Sequence, residues 1–361
     1  MKFIPLNRQG LEEYIQSPLF TQQNEVPISM HRAVSQIANP RLKPDDILLI
    51  LAVENNQLAG YCGMLPDNVL TSDQKRIHFA WYSCLWAAPQ FRGKGLARKL
   101  LDMAIEHWHG MIMFTDFVPA IRGFYLNTGY FSDVVVQSGF RWYFKSDLAT
   151  LLPPKSSKWK RAMPVLKAFD ATLNFALKFL PGSKNSYSLG INTLWQPGPE
   201  FREFLKINQS NHAIKRSIEE WEWILNFPWI LQGEITEFDR KYYFSSKAKE
   251  FTNQVFDLKD KLGNRVALVM LMLRNGTLKM PHVAYVPNAE KQIAAFIRAF
   301  CKQHEVKRFV CNQPELAQHL KKDGLGAVFC KPFNKEWIVS NALAPYITGL
   351  LADGDGDAAF T

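Results

Sequence analysis

The 361-residue sequence predicts an α/β (α+β) fold in two successive units, each a mixed, mostly antiparallel central sheet flanked by helices. Three observations predict it. Short apolar runs of strand character alternate with segments whose apolar residues recur at helical spacing. The order of these elements over residues 1–147 returns, more weakly, over 197–346. Apolar residues make up 47% of the chain and charged residues 21%, enough to bury two cores.

MKFIPL opens as a short strand, and two helical stretches follow at residues 9–16 and 29–39. Apolar runs at 46–53 and 57–64 flank Asn55 and Asn56, a pair suited to a hairpin turn. Residues 77–88 form a longer run rich in Phe, Trp, Tyr and Leu. In residues 96–108, Leu96, Leu100, Leu101, Ala104 and Trp108 fall on one helical face. A short strand is expected at 110–114 and a helix at 119–128, stopped by Gly129. Two further strands, 131–138 and 141–144, close the unit.

Residues 148–196 read as a basic linker around one amphipathic helix. Pro153, Pro154, Pro164, Pro181 and Gly182 punctuate it, with Lys155, Lys158, Lys160 and Arg161 between. The helix spans 165–180 and carries Leu166, Phe169, Leu173, Leu177 and Leu180 on one face. A strap packed across two units is preferred there over peripheral membrane contact through residues 155–180. In 197–346 the plan repeats: a tryptophan-rich helix at 218–226, a hairpin around Lys261 to Asn264, a long strand at 277–286 and a helix at 289–304. A strand at 308–311, a helix at 314–322 and closing strands at 326–331 and 336–340 complete it. Residues 347–361 read as a flexible acidic tail. Asp353, Asp355 and Asp357 have the spacing that opens a calcium loop, but the glutamate and flanking helices of an EF-hand are missing.

The formal net charge is +10, and its basic residues are spread along the chain, which speaks against nucleic-acid binding. Five cysteines, Cys62, Cys84, Cys301, Cys311 and Cys330, form no CxxC pair, so neither a zinc site nor a disulfide framework is expected. The N-terminus lacks the apolar stretch of a secretion signal, and no run reaches the roughly 18 uncharged apolar residues of a membrane span. A cytoplasmic protein with reduced thiols and no metal is expected.

The most informative stretch is LWAAPQFRGKGLA, from Leu85 to Ala97. It sets Gly93 and Gly95 between the end of a strand and the start of a helix. A helix begins with unpartnered N–H groups and a partial positive charge, and so favours an anion at that end. Glycines let the backbone approach phosphate oxygens, while Arg92, Lys94 and Arg98 add cations. The stretch is too short for GxxxxGK[ST], and GxGxxG fails at Arg98.

Gln90-x-x-Gly93-x-Gly95, preceded by Leu85-x-Ala87-x-Pro89, resembles the acetyl-CoA motif of the GCN5-related N-acetyltransferase (GNAT) superfamily. About thirty residues on, Gly123-Phe124-Tyr125-Leu126-Asn127-Thr128-Gly129-Tyr130 resembles the FYxxxGF helix of the same family. The resemblance covers residues 1–147 and extends to 197–346 only as element order. It implies that backbone amides from Arg92 to Ala97, Leu96 included, hold the pyrophosphate of acetyl-CoA. It implies that backbone groups of Leu85 and Ala87 pair with the pantetheine arm, and that Tyr125 protonates the departing thiolate. Phe124, Gly129 and Tyr130 read as structural.

Two departures stand out. Val118 occupies the position where many members carry asparagine, with Pro119 after it, and no carboxylate lies on the strand 79–88. The base is therefore unassigned, with His78 and Asp116 the nearest titratable groups. Cys84 reads as a buried structural thiol, since no histidine is placed by sequence to activate it. In the second unit Tyr285-Val-Pro-Asn-Ala-Glu290 replaces the glycine loop, and Leu320 stands where Tyr125 does. That half reads as a degenerate copy without its own cofactor, its aromatic residues Phe201, Trp221, Trp223, Trp229 and Trp337 as core. The expectation is a transferase that moves an acetyl group from acetyl-CoA to a primary amine, a small molecule or a peptide, by direct attack. The alternative is a non-catalytic acyl-CoA-binding or scaffold protein, and a longer acyl donor would use the same loop.

Overall fold

One long mixed sheet organises the chain. The computed structural model describes all residues except 72, 74, 116, 118–120, 154–155, 178–189, 195–196 and 210. The strands are β1 (Lys2–Leu6), β2 (Leu49–Glu54), β3 (Gln57–Leu70), β4 (Arg76–Ala87), β5 (Ile112–Thr115), β6 (Phe131–Tyr143) and β7 (Gly190–Leu194). They continue with the two-residue β8 (Leu231–Gln232) and β9 (Lys247–Ala248), then β10 (Phe251–Lys259), β11 (Arg265–Arg274), β12 (Thr277–Lys279), β13 (Val283–Tyr285), β14 (Arg308–Cys311) and β15 (Phe329–Ser340). The sheet runs β1-β2-β3-β4-β5-β15-β6-β14-β12-β11-β10-β7, with β13 on β11; β8 and β9 pair apart from it.

The helices are α1 (Arg8–Gln16), α2 (Pro18–Gln22), α3 (Met30–Ile37), α4 (Leu96–His107) and α5 (Arg122–Leu126) in the first half. Between the halves lie α6 (Leu148–Leu151), α7 (Ser157–Arg161) and α8 (Met163–Leu177). The second half holds α9 (Arg202–Ile207), α10 (Ile218–Asn226), α11 (Glu237–Arg240), α12 (Glu290–Gln303) and α13 (Pro314–Asp323). Side-chain alternation along β4 sorts its residues between two cores. Ala80 and Tyr82 pack under α4 with Leu96, Leu100, Leu101 and Ala104. Phe79 and Trp81 face the other way, into a core shared with Trp221, Trp223, Trp229, Phe201 and Trp337. All five of those expected core aromatics are buried there.

The closing strands differ from the expected hairpins. Each is one unbroken strand, and the two pair antiparallel with each other from Phe131↔Ser340 to Tyr143↔Phe329. β15, from the end of the chain, pairs with β5, while β6, from the first half, pairs with β14. The halves thus exchange their last strands. Gly139 sits at the crossing, where an added Cβ would lie 2.5 Å from the Cys311 carbonyl oxygen. The long strand expected at 277–286 is split as well. Pro281, which has no N–H for a ladder, falls between β12 and β13.

The linker is more structured than its sequence suggests, since β7 adds to the sheet edge beside β10. In α8, Leu166 is buried but Phe169 is 53% exposed, so the apolar face is only partly used. Asp170 anchors the helix instead: its carboxylate accepts from the Ser146 hydroxyl and from the amides of Leu148 (2.9 Å) and Ala149 (2.8 Å). Leu180, Pro181 and Gly182 lie outside the described residues.

The expected flexible tail is buried. Asp355 and Phe360 are 0% and 1% exposed. Phe360 stacks on Trp229 at 4.7 Å between centroids. Asp355 and Asp67 share Arg216, at 3.1 and 2.9 Å, and Arg41 pairs with Asp67 and Glu220. A buried charge is tolerated only with such partners. Burial raises the carboxyl groups of Asp67 and Asp355, against the pull of Arg216. The aspartates thus pin the tail between the halves; among the described residues no cluster suited to a metal ion is present.

Candidate active site

The site begins with a defect in β4. Tyr61 pairs with Trp86 and Gly63 with Ser83, so Cys62 faces both Cys84 and Leu85 in a β-bulge, with Cys84 at φ +54°. On its other edge, β4 pairs with β5 only at Ala80↔Ile112 and Trp81↔Met113. Beyond that point β5 turns to β15, with Phe114 opposite Ile338 and Thr115 opposite Trp337. The two parallel strands splay, and residues 82–87 meet no second strand among the described residues.

The polar groups of that edge follow from alternation. The Ala88 amide donates to Ala59 O on β3 at 2.9 Å, so Trp86 also faces β3 while Leu85 and Ala87 face the open side. Arg92 Nε donates to Ala87 O at 3.0 Å from the loop beyond. The two residues expected to meet the pantetheine arm are therefore at the open edge. Such an edge can take an extended arm as an added strand.

A single 3-10 turn, Pro89–Phe91, leads from β4 into the glycine loop. Gly93 and Gly95 have φ of +76° and +79°, left-handed values that side chains with a Cβ resist. An added Cβ at either would meet nothing within 4 Å. The glycines are thus set by backbone conformation at an exposed turn. Gly95 caps α4 without a side-chain bond, and the first intrahelical bond runs from the Lys99 amide to Gly95 O. The amides of Leu96, Ala97 and Arg98 precede that bond at the positive end of the helix. The amides of Arg92 and Lys94 instead make long bonds to Pro89 O and Phe91 O, at 3.3 and 3.4 Å.

The cations are less uniform than their spacing suggests. Lys94 is exposed, 5.7 Å from the Phe91 ring. Arg98 pairs with Asp102 one turn on (2.7 Å) and stacks over Tyr130, whose hydroxyl donates to Asp102 at 3.0 Å. Arg98 therefore braces α4 against the turn after α5. Gln90 lines a cavity of about 460 Å³ beside the loop, with Trp86, Pro89 and Glu25.

Tyr125 on α5 is 3% exposed, with its ring 4.3 Å from Phe114 on β5 and 6.3 Å from Tyr82 on β4. It therefore bridges the splayed strands on the side of α4. Burial raises its hydroxyl above the ordinary tyrosine range, so it carries its proton at neutral pH. Phe124, read as structural, is half-buried beside it.

Of the two titratable groups considered for a base, His78 sits at the opposite end of β4 from the open edge. Asp46 and Asn68 hold its two ring nitrogens at 2.9 Å each. Asp116, like Val118 and Pro119, lies outside the described residues. Cys84 is half-buried on the face opposite α4, where Arg32 and the Tyr242 hydroxyl reach its thiol. Arg32, itself buried, also donates to Ser83 at 2.7 Å and to Tyr242 at 2.9 Å, and lies 3.9 Å above the Trp229 ring. Sequence reasoning missed this brace, because its members are up to 210 residues apart.

Residues 45–131 match the family model of the acetyltransferase (GNAT) domain. The chain carries a GNAT domain. The match spans β2 to the start of β6, and so contains the bulge, the glycine loop, α4 and Tyr125. Solved structures share the fold well beyond the GNAT match. A GCN5-related N-acetyltransferase from Anabaena variabilis ATCC 29413 superposes with a TM-score of 0.52 at 12% identity, over 93% of this chain and 71% of that one. A probable N-acyltransferase from Enterococcus faecalis V583 gives 0.52 at 14%, over 94% and 72%. A GCN5-related N-acetyltransferase from Kribbella flavida gives 0.50 at 11%, over 96% and 73%. No curated protein matches.

The glycine pattern of residues 93–95 does not recur before α12 in the second half. Before α12, Asn288 takes the left-handed turn, and Glu290 occupies the first turn of the helix. Leu320 on α13, set against Tyr125 when the halves are compared by element order, is fully buried.

Proposed function

We propose that the first half binds an acyl-CoA, acetyl-CoA foremost, and transfers its acyl group to a primary amine by direct attack. One observation carries this reading: the exposed, glycine-capped start of α4 stands at the mouth of the open β4 edge. A diphosphate would sit on the amides of Gly93, Gly95, Leu96 and Ala97, with Arg92 and Lys94 beside it. The pantetheine arm would run along Leu85 and Ala87, which puts the thioester near the bulge. The amine attacks the carbonyl carbon, and the tetrahedral intermediate collapses with loss of the CoA thiolate. Tyr125, a phenol whose ionisation burial makes harder still, supplies the proton to that sulfur, and its phenolate takes up the proton that the attacking nitrogen sheds as the amide forms. The second half, without a glycine loop, serves as a wall of the acceptor side.

Calorimetric titration of CoA tests the loop. Gly93→Asp sets a carboxylate among the amides and strains a φ of +76°, and should abolish measurable binding. Unaltered affinity would remove the loop from the site. An amine panel with acetyl-CoA, read by thiol release, tests the chemistry; CoA binding without release from any amine would favour the scaffold alternative.

A further inference from the structure

A cavity of about 650 Å³ opens where β5 ends. Phe117 and Arg122 form its near wall and Arg141, Thr277, Lys279 and Arg308 its far wall. The near wall touches the site already described. Phe117 meets Phe114 edge-to-face at 5.8 Å, the Phe114 ring lies tilted 4.3 Å from that of Tyr125, and Arg122 lies one turn before Tyr125 on α5. The far wall belongs to the second half and to the exchanged strand β6.

The lining is strongly cationic. It holds five basic side chains, Lys335 among them, against two carboxylates, Glu336 and Asp353. Glu336 pairs with Arg122 at 3.3 Å, and Lys335 Nζ donates to Asp353 O at 2.9 Å. Arg141 and Arg308 are different. Among the described residues neither has a carboxylate within ion-pair distance. Arg141 stacks over Phe333 at 4.3 Å, and Arg308 donates to Thr277 Oγ1 at 3.0 Å. The buried Nε of Arg308 has no hydrogen-bond partner among those residues. The cavity wall thus carries two guanidinium groups whose charge no described carboxylate balances, and an anion seated beside their exposed nitrogens would do so.

Strand register brings the two arginines together. Arg141 on β6 stands opposite Val310 on β14, and Arg308 lies two residues before Val310 on the same face. Diagonal neighbours of this kind are about 7–8 Å apart at Cα, close enough for two guanidinium groups to share one carboxylate or phosphate. Lys279, paired with Val310 from β12, borders the same spot. Guanidinium forks suit such anions because they donate two parallel hydrogen bonds.

We propose that this cavity seats the anionic group of the acyl acceptor, so that the substrate is an amine that also carries a carboxylate or a phosphate. The anion would rest on Arg141 and Arg308 while its amine reaches past Phe117 toward the end of β5. The anion seat stands on its own residues; that its occupant is the acceptor rests on the acyl-transfer reading.

Matched amines titrated into the full chain without CoA test the seat directly: phosphoethanolamine against ethanolamine, glucosamine 6-phosphate against glucosamine, and glycine against glycinamide. At least one anionic member should bind tenfold or more tightly than its neutral partner, and which pair shows the gap separates phosphate from carboxylate. Arg308→Gln and Arg141→Gln should each weaken that binding tenfold or more, with CoA affinity within twofold of the parent. Circular dichroism confirms the fold of each variant, and Arg141→Gln decides if Arg308→Gln does not fold. No gap in any pair, or a gap that survives the substitutions, overturns the proposal. Anion binding with no CoA binding would instead strike the acyl-transfer reading and leave the seat in place.

Discussion

At the scale of single residues, the place of Tyr125 is set by burial. Its ring fills the gap between Phe114 and Tyr82 where the strands part, and that same packing raises its hydroxyl further above the ordinary tyrosine range. A neutral phenol can give a proton to a departing thiolate, but it does not hold a diphosphate. Tyr125→Phe should therefore preserve the packing and CoA affinity while lowering turnover by roughly 10² or more, the usual contribution of a positioned acid. Steady-state kinetics with acetyl-CoA and a responsive amine, beside a CoA titration, makes the comparison. Equal turnover would leave Tyr125 as packing alone. The loop cations are a second lesson at this scale. Arg98 looks like a phosphate ligand from its spacing, yet Asp102 and Tyr130 claim it.

At the scale of elements, local patterns were legible wherever their causes were local. α4 was read to within a residue because its buried positions recur at helical spacing and its start is marked by Gly95. The two strands expected at 131–138 and 141–144 are the single strand β6, which runs through Gly139. Its glycine answers to β14, whose Cys311 backbone passes too close for a Cβ. Pro332 likewise disguised β15, although it pairs with Phe140. It is tolerated there because β15 meets β5 only from Trp337 to Val339, so its missing N–H faces no partner strand among the described residues. The helix α8 was visible, but its fastening was not, because the main contact is polar. Burial alone would raise Asp170; the Ala149 amide, the Ser146 hydroxyl and the Leu148 amide outweigh it and hold the carboxyl below its usual range. Asp170→Ala removes the acceptor of all three and should cost about 1–3 kcal/mol of local stability. Hydrogen exchange should show 146–177 losing protection while CoA affinity is kept. Unchanged protection there would mean that Leu166 and its neighbours suffice to dock the helix.

At the scale of the molecule, the exchange of β6 and β15 ties the two halves into one sheet. By sequence, residues 1–147 read as a GNAT domain because the motifs and a full set of elements fall within them, but partners in a sheet are not written in element order. Without the second half, Met113, Phe114 and Thr115 lose β15, and β6 loses both of its neighbours. Trp81 and Phe79 lose the aromatic core contributed by α10 and the tail, and Asp67 loses Arg216. A buried carboxylate stripped of its cation and an apolar sheet face opened to water each penalise the truncated fold. A fragment of residues 1–147 should therefore be insoluble, or soluble without a cooperative thermal transition. The full chain should unfold in a single transition that near-ultraviolet and far-ultraviolet circular dichroism report at the same temperature. A fragment that melts cooperatively and binds CoA as tightly as the full chain would show that the exchanged strands are an addition to an already complete domain, and that the donor site owes nothing to the second half.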